Sequence, residues 1–209
     1  MIDLKNDLLV VIDIQNDFCP GGSLAIDGGD EIVPVANRLI DAFDHVAMTQ
    51  DWHPAGHASF ASSHQGRRPF DEMQLYYGPQ TLWPDHCVQG TAGAEFHSGL
   101  EWTKSEIVVR KGYNPALDSY SAFFENDRTT ATGLGGYARE RGFRRVVTCG
   151  LALDVCVAFS SLDARRLGLD VVLVTDACRA IDPDGNARTM LRDMQDAGII
   201  VTDTSALHI

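Results

Sequence analysis

The feature that most constrains the fold is a regular alternation of short apolar runs with segments of helical period. The apolar runs predict six strands, at Leu8–Ile14, His45–Thr49, Glu106–Arg110, Arg145–Cys149, Asp170–Thr175 and Ile199–Thr202. The segments between them predict helices over Asp30–Phe43, Thr130–Arg141, Asp154–Leu167 and Asp184–Ala197. Strands that are apolar on both faces and joined by helices are typical of a covered parallel sheet. The pattern therefore predicts an α/β fold of three layers, with a six-stranded parallel sheet in the middle and helices on both faces.

Length and strand order indicate where a site can form. A chain of 209 residues suits one core, so we predict a single domain over residues 1–209. With the six strands numbered along the chain, we predict the sheet order 3-2-1-4-5-6. The strand order then reverses between the first and fourth strands, and ligands of such sheets bind beyond the carboxyl ends of the strands at that point.

The charge and the N-terminal segment narrow the class of partner. With 17 basic and 29 acidic residues the formal net charge is −12, which would repel nucleic acids and anionic membranes. The first residues, MIDLKNDLLVVIDIQ, contain no basic segment leading into a long apolar one, and no run is long enough to span a membrane. We therefore expect a cytoplasmic protein, as a monomer or a homo-oligomer, that binds a small molecule.

The five cysteines differ in their sequence surroundings. They are odd in number and show no C-x-x-C spacing, which disfavours a disulfide framework or a zinc site made of thiolates. Cys156 stands apart because it follows a predicted strand closely, where the next helix begins. The backbone dipole at a helix start lowers the pKa of a thiol, and the N–H groups of the turn Leu151–Val155 could stabilise an oxyanion. The sequence favours Cys156 as a nucleophile over a small buried apolar residue.

Two further charged side chains are predicted near this cysteine. Asp13 lies in the apolar run of the first strand, where an unpaired carboxylate would be costly to bury. It could be a structural ion-pair partner, but beside a cysteine and a lysine a general base is the better interpretation. Lys111 and Arg110 stand together where the third strand ends, and alternation along a strand sends them to opposite faces. The residues alone do not decide which of the two enters the site.

A second polar cluster is predicted in the long irregular stretch between residues 50 and 105. Loops of that length inside compact domains are usually functional. Asp51 and His53 are two residues apart in an extended segment, so both project to one side, and His86 supplies a third donor. A carboxylate with imidazoles suits zinc, iron or manganese. The rival donors in the same stretch are His57 and His64.

Several of these residues lie in motifs that together resemble one family. The chain contains the segments VIDIQNDFCPGGSL, QDWHPAGHASF, LWPDHCVQGTAGAEF, VVRKGYN, DSYSAF and GLALDVCV. In combination they are similar to the nicotinamidases of the isochorismatase-like (cysteine hydrolase) superfamily. The resemblance extends from Leu8 to the segment MLRDMQDAGIIVTDT near the C-terminus. It is specific because six motifs agree at once.

The resemblance implies a set of catalytic residues. By motif, the catalytic triad of the family falls on Asp13, Lys111 and Cys156, which favours Lys111 over Arg110. The oxyanion hole of the family falls on the backbone N–H groups of Ala152 and Cys156.

The resemblance also implies a divalent metal ion and a substrate pocket. The family binds the metal through an Asp-x-His pair and a later His, here Asp51, His53 and His86, with zinc favoured over iron or manganese. Members differ in further ligands, so the additional candidates are His57 and Ser59. A non-prolyl cis peptide is expected at Leu151–Ala152. The pocket is expected to draw on Phe18, Trp83, Leu151 and Tyr120.

The implied activity is the hydrolysis of nicotinamide to nicotinic acid and ammonia through a cysteine thioester, in NAD salvage, with side activity on pyrazinamide. One alternative is another amidohydrolase of the same superfamily. A second is a member that binds a metal or a ligand without catalysing a reaction. A third is a hydrolase that uses metal-bound water without a covalent step, which predicts activity that survives alkylation of the thiols.

Overall fold

The computed structural model describes residues 2–182 and 185–207. Its strands are β1 (Leu8–Ile12), β2 (His45–Asp51), β3 (Glu72–Leu75), β4 (Gly78–Thr81), β5 (Ile107–Lys111), β6 (Arg145–Leu151), β7 (Asp170–Arg179) and β8 (Ile200–Thr202). Six of them form a parallel sheet in the order β5-β2-β1-β6-β7-β8. Along the chain this is the order 3-2-1-4-5-6, which confirms the predicted strand order.

Helices pack against this sheet. They are α1 (Val33–Ala42), α2 (Leu134–Glu140), α3 (Ala158–Arg166) and α4 (Ala187–Asp196). The helix α1 packs against β1 and β7, and α3 packs against β6 and β7. Every residue of β1 is buried, so both faces of the sheet centre are covered, as the apolar runs predict. Within the described residues, none of the helices combines the length and the apolar character that a membrane crossing requires.

The element boundaries differ from the predicted ones at places that matter for the site. The strands β6 and β7 run on to Leu151 and Arg179, which pair with each other after a register shift at Gly150. Gly150 has φ +124°, and a Cβ there would lie 2.0 Å from the carbonyl oxygen of Ile12. Only glycine allows this close approach of β6 to β1. The predicted start of the last helix, Asp184, lies outside the described residues.

The stretch between residues 50 and 105 contains a hairpin that the sequence did not predict. The strands β3 and β4 pair antiparallel and are joined through Tyr76 and Tyr77. Both strands have only four residues and carry polar side chains, and the two-residue connection lacks the Asn-Gly or Asp-Gly signal of a tight hairpin. Length and composition therefore hid the hairpin from a reading of periodicity.

Candidate active site

Three residues predicted to act together follow the carboxyl ends of neighbouring strands. Asp13 comes directly after β1, Lys111 is the last residue of β5, and Cys156 lies in the turn after β6. Because β1 pairs with β2 on one side and with β6 on the other, the chain departs in both directions from this point. Donor atoms of Asp13, Asp51 and Cys156 lie within 4.8 Å of one another. The sheet topology therefore brings these groups into one buried cluster.

Lys111 is fully buried and is surrounded by acceptors. Its Nζ lies 2.8 Å from Asp13 Oδ2 and 2.6 Å from Asp51 Oδ1, and also 3.0 Å from the Ser119 carbonyl oxygen and 3.5 Å from Cys156 Sγ. The contact with Asp13 is an ion pair whose angles are not those of a hydrogen bond. Burial disfavours the ammonium, but the two carboxylates favour it more, so the pKa of Lys111 is raised well above its ordinary value. Lys111 therefore remains a cation.

The neighbouring Arg110 lies outside this cluster. Its side chain is exposed, its guanidinium carbon lies 3.9 Å from the centroid of the Trp52 ring, and its Nε donates to Gln50 Oε1 at 3.1 Å. Alternation along β5 sends Arg110 and Lys111 to opposite sides. The structure thus brings Lys111, and not Arg110, to the cluster.

Asp13 is fully buried and has φ +48°. The hydroxyl of Thr49 donates to its Oδ1 at 2.6 Å. Burial raises the pKa of Asp13, and the nearby Lys111 cation opposes that shift. A carboxylate whose pKa is raised, beside a thiol, is suited to accept a proton and return it.

Cys156 lies in a turn of π-helical geometry, Leu153–Val157, that connects β6 to α3. The N–H groups of Val155 and Val157 donate to the Ala152 carbonyl oxygen at 3.1 and 3.0 Å, which folds the turn tightly around the sulfur. The peptide bond that precedes this turn, Leu151–Ala152, is cis, as the resemblance implied.

The charge state of the Cys156 thiol differs from expectation. Burial raises its pKa well above the ordinary value, while the Lys111 cation acts in the opposite direction. The prediction that the helix start would lower this pKa is wrong, because the loss of water around a thiolate outweighs the favourable charges. The sulfur must therefore lose its proton during the attack, and Asp13 is the adjacent acceptor.

Asp51, His53 and His86 form a second cluster that touches the first. Asp51 Oδ2 lies 3.5 Å from His53 Nε2 and 3.6 Å from His86 Nε2. The other ring nitrogens are tied to backbone carbonyls, since His53 Nδ1 is 2.9 Å from Gly112 and His86 Nδ1 is 2.8 Å from Pro84. A carbonyl only accepts, so each Nδ1 carries the proton, and the Nε2 lone pairs face Asp51.

This donor set fits a divalent metal ion. His53 Nε2 is buried and has no hydrogen-bond partner, a costly state for a nitrogen unless it binds a ligand. One carboxylate and two imidazoles with donor atoms within 4.8 Å of one another match the usual ligands of zinc. Gly112 leaves room for the imidazole, because a Cβ there would lie 2.4 Å from the His53 ring.

Asp51 links the two clusters. Its Oδ1 contacts Lys111 Nζ, whereas its Oδ2 faces the imidazoles. Burial would raise the pKa of Asp51, but Lys111 and His53 outweigh it and the pKa is lowered well below the ordinary value. The carboxylate is thus held ionised between the cation and the imidazoles.

The additional candidates His57 and Ser59 bond to each other. His57 Nδ1 is 2.7 Å from Ser59 Oγ, and its Nε2 is 2.8 Å from the Asn114 carbonyl oxygen. Both ring nitrogens are therefore occupied. His64, the other rival donor, is directed to the Ala58 carbonyl oxygen at 2.8 Å.

Reasoning from the sequence missed Asp118, the first residue of the DSYSAF motif. Its Oδ2 accepts from Gln80 Nε2 at 2.7 Å, and its Oδ1 accepts from the Ser119 N–H at 2.9 Å. Together with His53 and His57 it forms another group of donor atoms within 4.8 Å. The available signal was a carboxylate inside a matching motif, but its partner Gln80 lies on the unpredicted strand β4.

The two clusters face a small cavity of about 20 Å³, space for about one water molecule. Three of the predicted pocket residues, Phe18, Trp83 and Tyr120, line it. Leu151 was expected there but does not line it, because β6 extends through Leu151 and buries this side chain fully. The apolar residues that complete the wall are Leu24, Ala152, Val155 and Ile181.

Comparison with known proteins places this geometry in a family. The isochorismatase domain family matches residues 7–206. A nicotinamidase of Acinetobacter baylyi is 49% identical over 199 residues, covering 95% of this chain and 93% of that protein. A nicotinamidase of Escherichia coli is 46% identical over 196 residues, covering 91% of both.

Solved structures agree with the match in sequence. The nicotinamidase/pyrazinamidase of Acinetobacter baumanii has a TM-score of 0.95 at 46% identity, over 97% of this chain and 98% of that one. A protein of L. infantum in complex with nicotinate has a TM-score of 0.85 at 39% identity, over 98% and 96%. A pyrazinamidase of Pyrococcus horikoshii in complex with zinc has a TM-score of 0.77 at 33% identity, over 95% and 99%. With nearly the whole chain matched in sequence and in fold, the protein belongs to the isochorismatase family.

Proposed function

We propose that this chain is a nicotinamidase, which hydrolyses nicotinamide to nicotinic acid and ammonia through a cysteine thioester. The observation that carries the proposal is the buried Cys156 thiol, 3.5 Å from Lys111 Nζ and adjacent to Asp13, at the wall of an aromatic cavity. The relatives named nicotinamidase, at 46–49% identity, support the same reaction. The related structure in complex with nicotinate supports a small aromatic acid as its product.

The first half of the reaction forms the thioester. Asp13 takes the thiol proton while Cys156 Sγ bonds to the carboxamide carbon, and the carbonyl electron pair moves to oxygen. The backbone N–H groups of Ala152 and Cys156 stabilise this oxyanion, and loss of one such donor typically raises a barrier by about 3–4 kcal/mol. Lys111 stays protonated and stabilises the charges on sulfur and on the carboxylate.

The leaving group departs with the same proton. The carboxylic acid of Asp13 donates it to the nitrogen, the carbon–nitrogen bond breaks, and ammonia leaves an acyl group on sulfur. Water then attacks the thioester carbon while Asp13 accepts its proton. The carbon–sulfur bond breaks, the proton returns to Cys156, and nicotinic acid is released. One carboxylate thus serves both half-reactions.

A divalent ion, zinc by the chemistry of the donors, would be held by Asp51, His53 and His86. Bound there, it supplies a Lewis-acidic position for the pyridine nitrogen of the substrate. The protein residues contribute orientation, because the same Asp51 carboxylate contacts Lys111 and faces both imidazoles. The related pyrazinamidase structure in complex with zinc supports this metal over iron or manganese.

The small cavity supports a substrate with one aromatic ring, which includes pyrazinamide as a second amide. In the cell the reaction would belong to NAD salvage in the cytoplasm. The strongly acidic chain, with a formal net charge of −12, is consistent with a small neutral substrate rather than a polyanion.

The test is ammonia release from nicotinamide by purified protein before and after chelation, with metal analysis of the same sample. We expect turnover that falls at least about tenfold on chelation and returns with added zinc. Full activity in chelated, metal-free protein would refute the metal site. Absence of amidase activity in metal-loaded protein, across nicotinamide, pyrazinamide and carbamoyl amides, would refute the proposed function.

A further inference from the structure

The cavity at Cys156 adjoins a much larger groove of about 610 Å³ on its outer side. Four side chains line both spaces: Trp83, Tyr120, Val155 and Ile181. They form a shared wall between the cavity and the groove. Since the cavity has room for about one water molecule, a ring can enter only if this wall yields. The restraints on the wall therefore decide which substrates fit.

Three of the four wall residues are restrained by neighbours close to them. Trp83 Nε1 donates to the Tyr120 hydroxyl at 3.2 Å, and Gln80 Nε2 donates to the same hydroxyl at 2.8 Å. The Val155 N–H donates to the Ala152 carbonyl oxygen at 3.1 Å. These contacts hold one side of the wall to the hairpin and to the nucleophile turn.

Ile181 is restrained in a different way. It lies in the segment after β7, and its N–H donates to Asp154 Oδ1 at 3.0 Å, while the next N–H, of Asp182, donates to Asp154 Oδ2 at 2.8 Å. Asp154 is 7% exposed and belongs to the turn that carries Cys156. Hydrogen bonds from two N–H groups to one carboxylate are strong and directional. Through them, the turn that holds the sulfur also holds the opposite wall.

We infer that Asp154 is a positioning residue: its carboxylate fixes Ile181 in the shared wall and thereby restricts the enzyme to amides of a single ring. This inference rests on the proposed function. Without the two hydrogen bonds, the Ile181 segment would move toward the outer groove and the cavity would open into it. Larger ring systems would then gain room, while nicotinamide would lose contacts that orient it.

The test compares two substrates on three variants. The substrates are nicotinamide and quinoline-3-carboxamide, which keeps the ring nitrogen and amide but adds a fused ring. We expect Asp154→Ala to raise the ratio of kcat/KM for quinoline-3-carboxamide over nicotinamide at least about tenfold. Ile181→Ala, which keeps the carboxylate and shortens the wall side chain, should raise the same ratio. It remains informative if the first variant folds poorly.

The matched control is Asp176→Ala. Asp176 also receives a backbone N–H, from Thr204 at 3.0 Å, and lies on the same strand as the start of the Ile181 segment, but it does not line the cavity or the groove. Its substrate ratio should stay within about twofold of wild type. An equal shift in Asp176→Ala, or an unchanged ratio in Asp154→Ala and Ile181→Ala, would overturn the inference.

A second measurement does not depend on activity. Amide hydrogen exchange over residues 177–182 should become at least about tenfold faster in Asp154→Ala, because Ile181 and Asp182 lose their acceptor. Unchanged exchange there would overturn the inference even if wild-type protein hydrolyses nicotinamide. Inactive wild-type protein with faster exchange in the variant would instead refute the proposed function and leave the restraint in place.

Discussion

The centre of the sheet and its carboxyl edge are equally buried but opposite in chemistry. Along β1, all five residues from Leu8 to Ile12 are apolar and at most 1% exposed. One residue later Asp13 is 0% exposed, and it faces Lys111, also 0% exposed. Burial of the first set lowers the free energy of the fold, whereas burial of the second is unfavourable unless the charges pair.

The difference shows which part of the molecule is shaped for stability and which for chemistry. An apolar core needs only volume and shape, so many residues would serve there. At the edge each charge is balanced by a specific partner, as Lys111 is by Asp13 and Asp51. Substitutions in the two regions should therefore separate activity from stability.

The largest expected effect is on activity alone. Cys156→Ala should lower ammonia release from nicotinamide by about 10⁴-fold or more, since a covalent nucleophile cannot be replaced by its neighbours. The melting temperature and the metal content should stay near wild type. The matched variant is Cys149→Ala, another buried thiol, which lies within β6 and should keep its activity. Turnover by the first variant equal to that of the second would end the assignment of the nucleophile.

The next effect combines activity and stability. Lys111→Met leaves two buried carboxylates without their cation, so the free energy of unfolding should fall by about 3–5 kcal/mol, together with activity. Lys104 provides the control, because its exposed side chain donates only to the Ile40 and Asp41 carbonyls. Lys104→Met should cost about 1 kcal/mol. Urea unfolding of both variants measures the difference, and similar losses would contradict the contrast between edge and surface.

The centre of the sheet should respond in stability without loss of chemistry. Leu9→Ala removes a fully buried side chain of β1 and should lower the free energy of unfolding by about 2–5 kcal/mol. The volume-conserving Leu9→Met should cost less than about 1.5 kcal/mol. Below the melting temperature, kcat per folded molecule should match wild type in both. A selective loss of kcat in Leu9→Ala would show that the two regions are coupled.

The smallest effect concerns a buried acid without an ion pair. Glu125 is 2% exposed, its Oε2 has no hydrogen-bond partner, and burial raises its pKa to about 7. The folded protein thus retains a proton that the unfolded chain releases near pH 4.5, so stability falls as the pH rises from 4.5 to 7. Glu125→Gln should be more stable than wild type at pH 8 by about 1–3 kcal/mol. The gain should vanish below about pH 4.5.

Asp127 supplies the opposite sign. Burial opposes the shift, but hydrogen bonds from Thr130 and Thr129 lower the pKa of Asp127 to about 2. Its contribution to stability is present above its unfolded pKa and is lost as the pH falls toward 2. Asp127→Asn should therefore weaken the protein at neutral pH, where Glu125→Gln strengthens it. Thermal unfolding across pH distinguishes the two, and shifts of the same sign would refute this account.

The sequence by itself determined the order of elements, because hydrophobic period is a local property that survives without tertiary contacts. It also located the three triad positions and the Asp-x-His pair, since these follow strand ends or stand in motifs that agree together. The strand order followed from the rules for parallel sheets.

Only the tertiary structure decided how charges from separate strands meet. The register that pairs Asp51 with Lys111 across β2 and β5 makes Asp51 a link between the two clusters. The raised pKa of the Cys156 thiol follows from burial that no local motif encodes. The exclusion of Leu151 from the cavity, and the entry of Asp118 and Ile181 into its wall, depend on where β6 ends and on an unpredicted hairpin. Distance and solvent access are properties of the assembled fold, whereas period and motif belong to the chain.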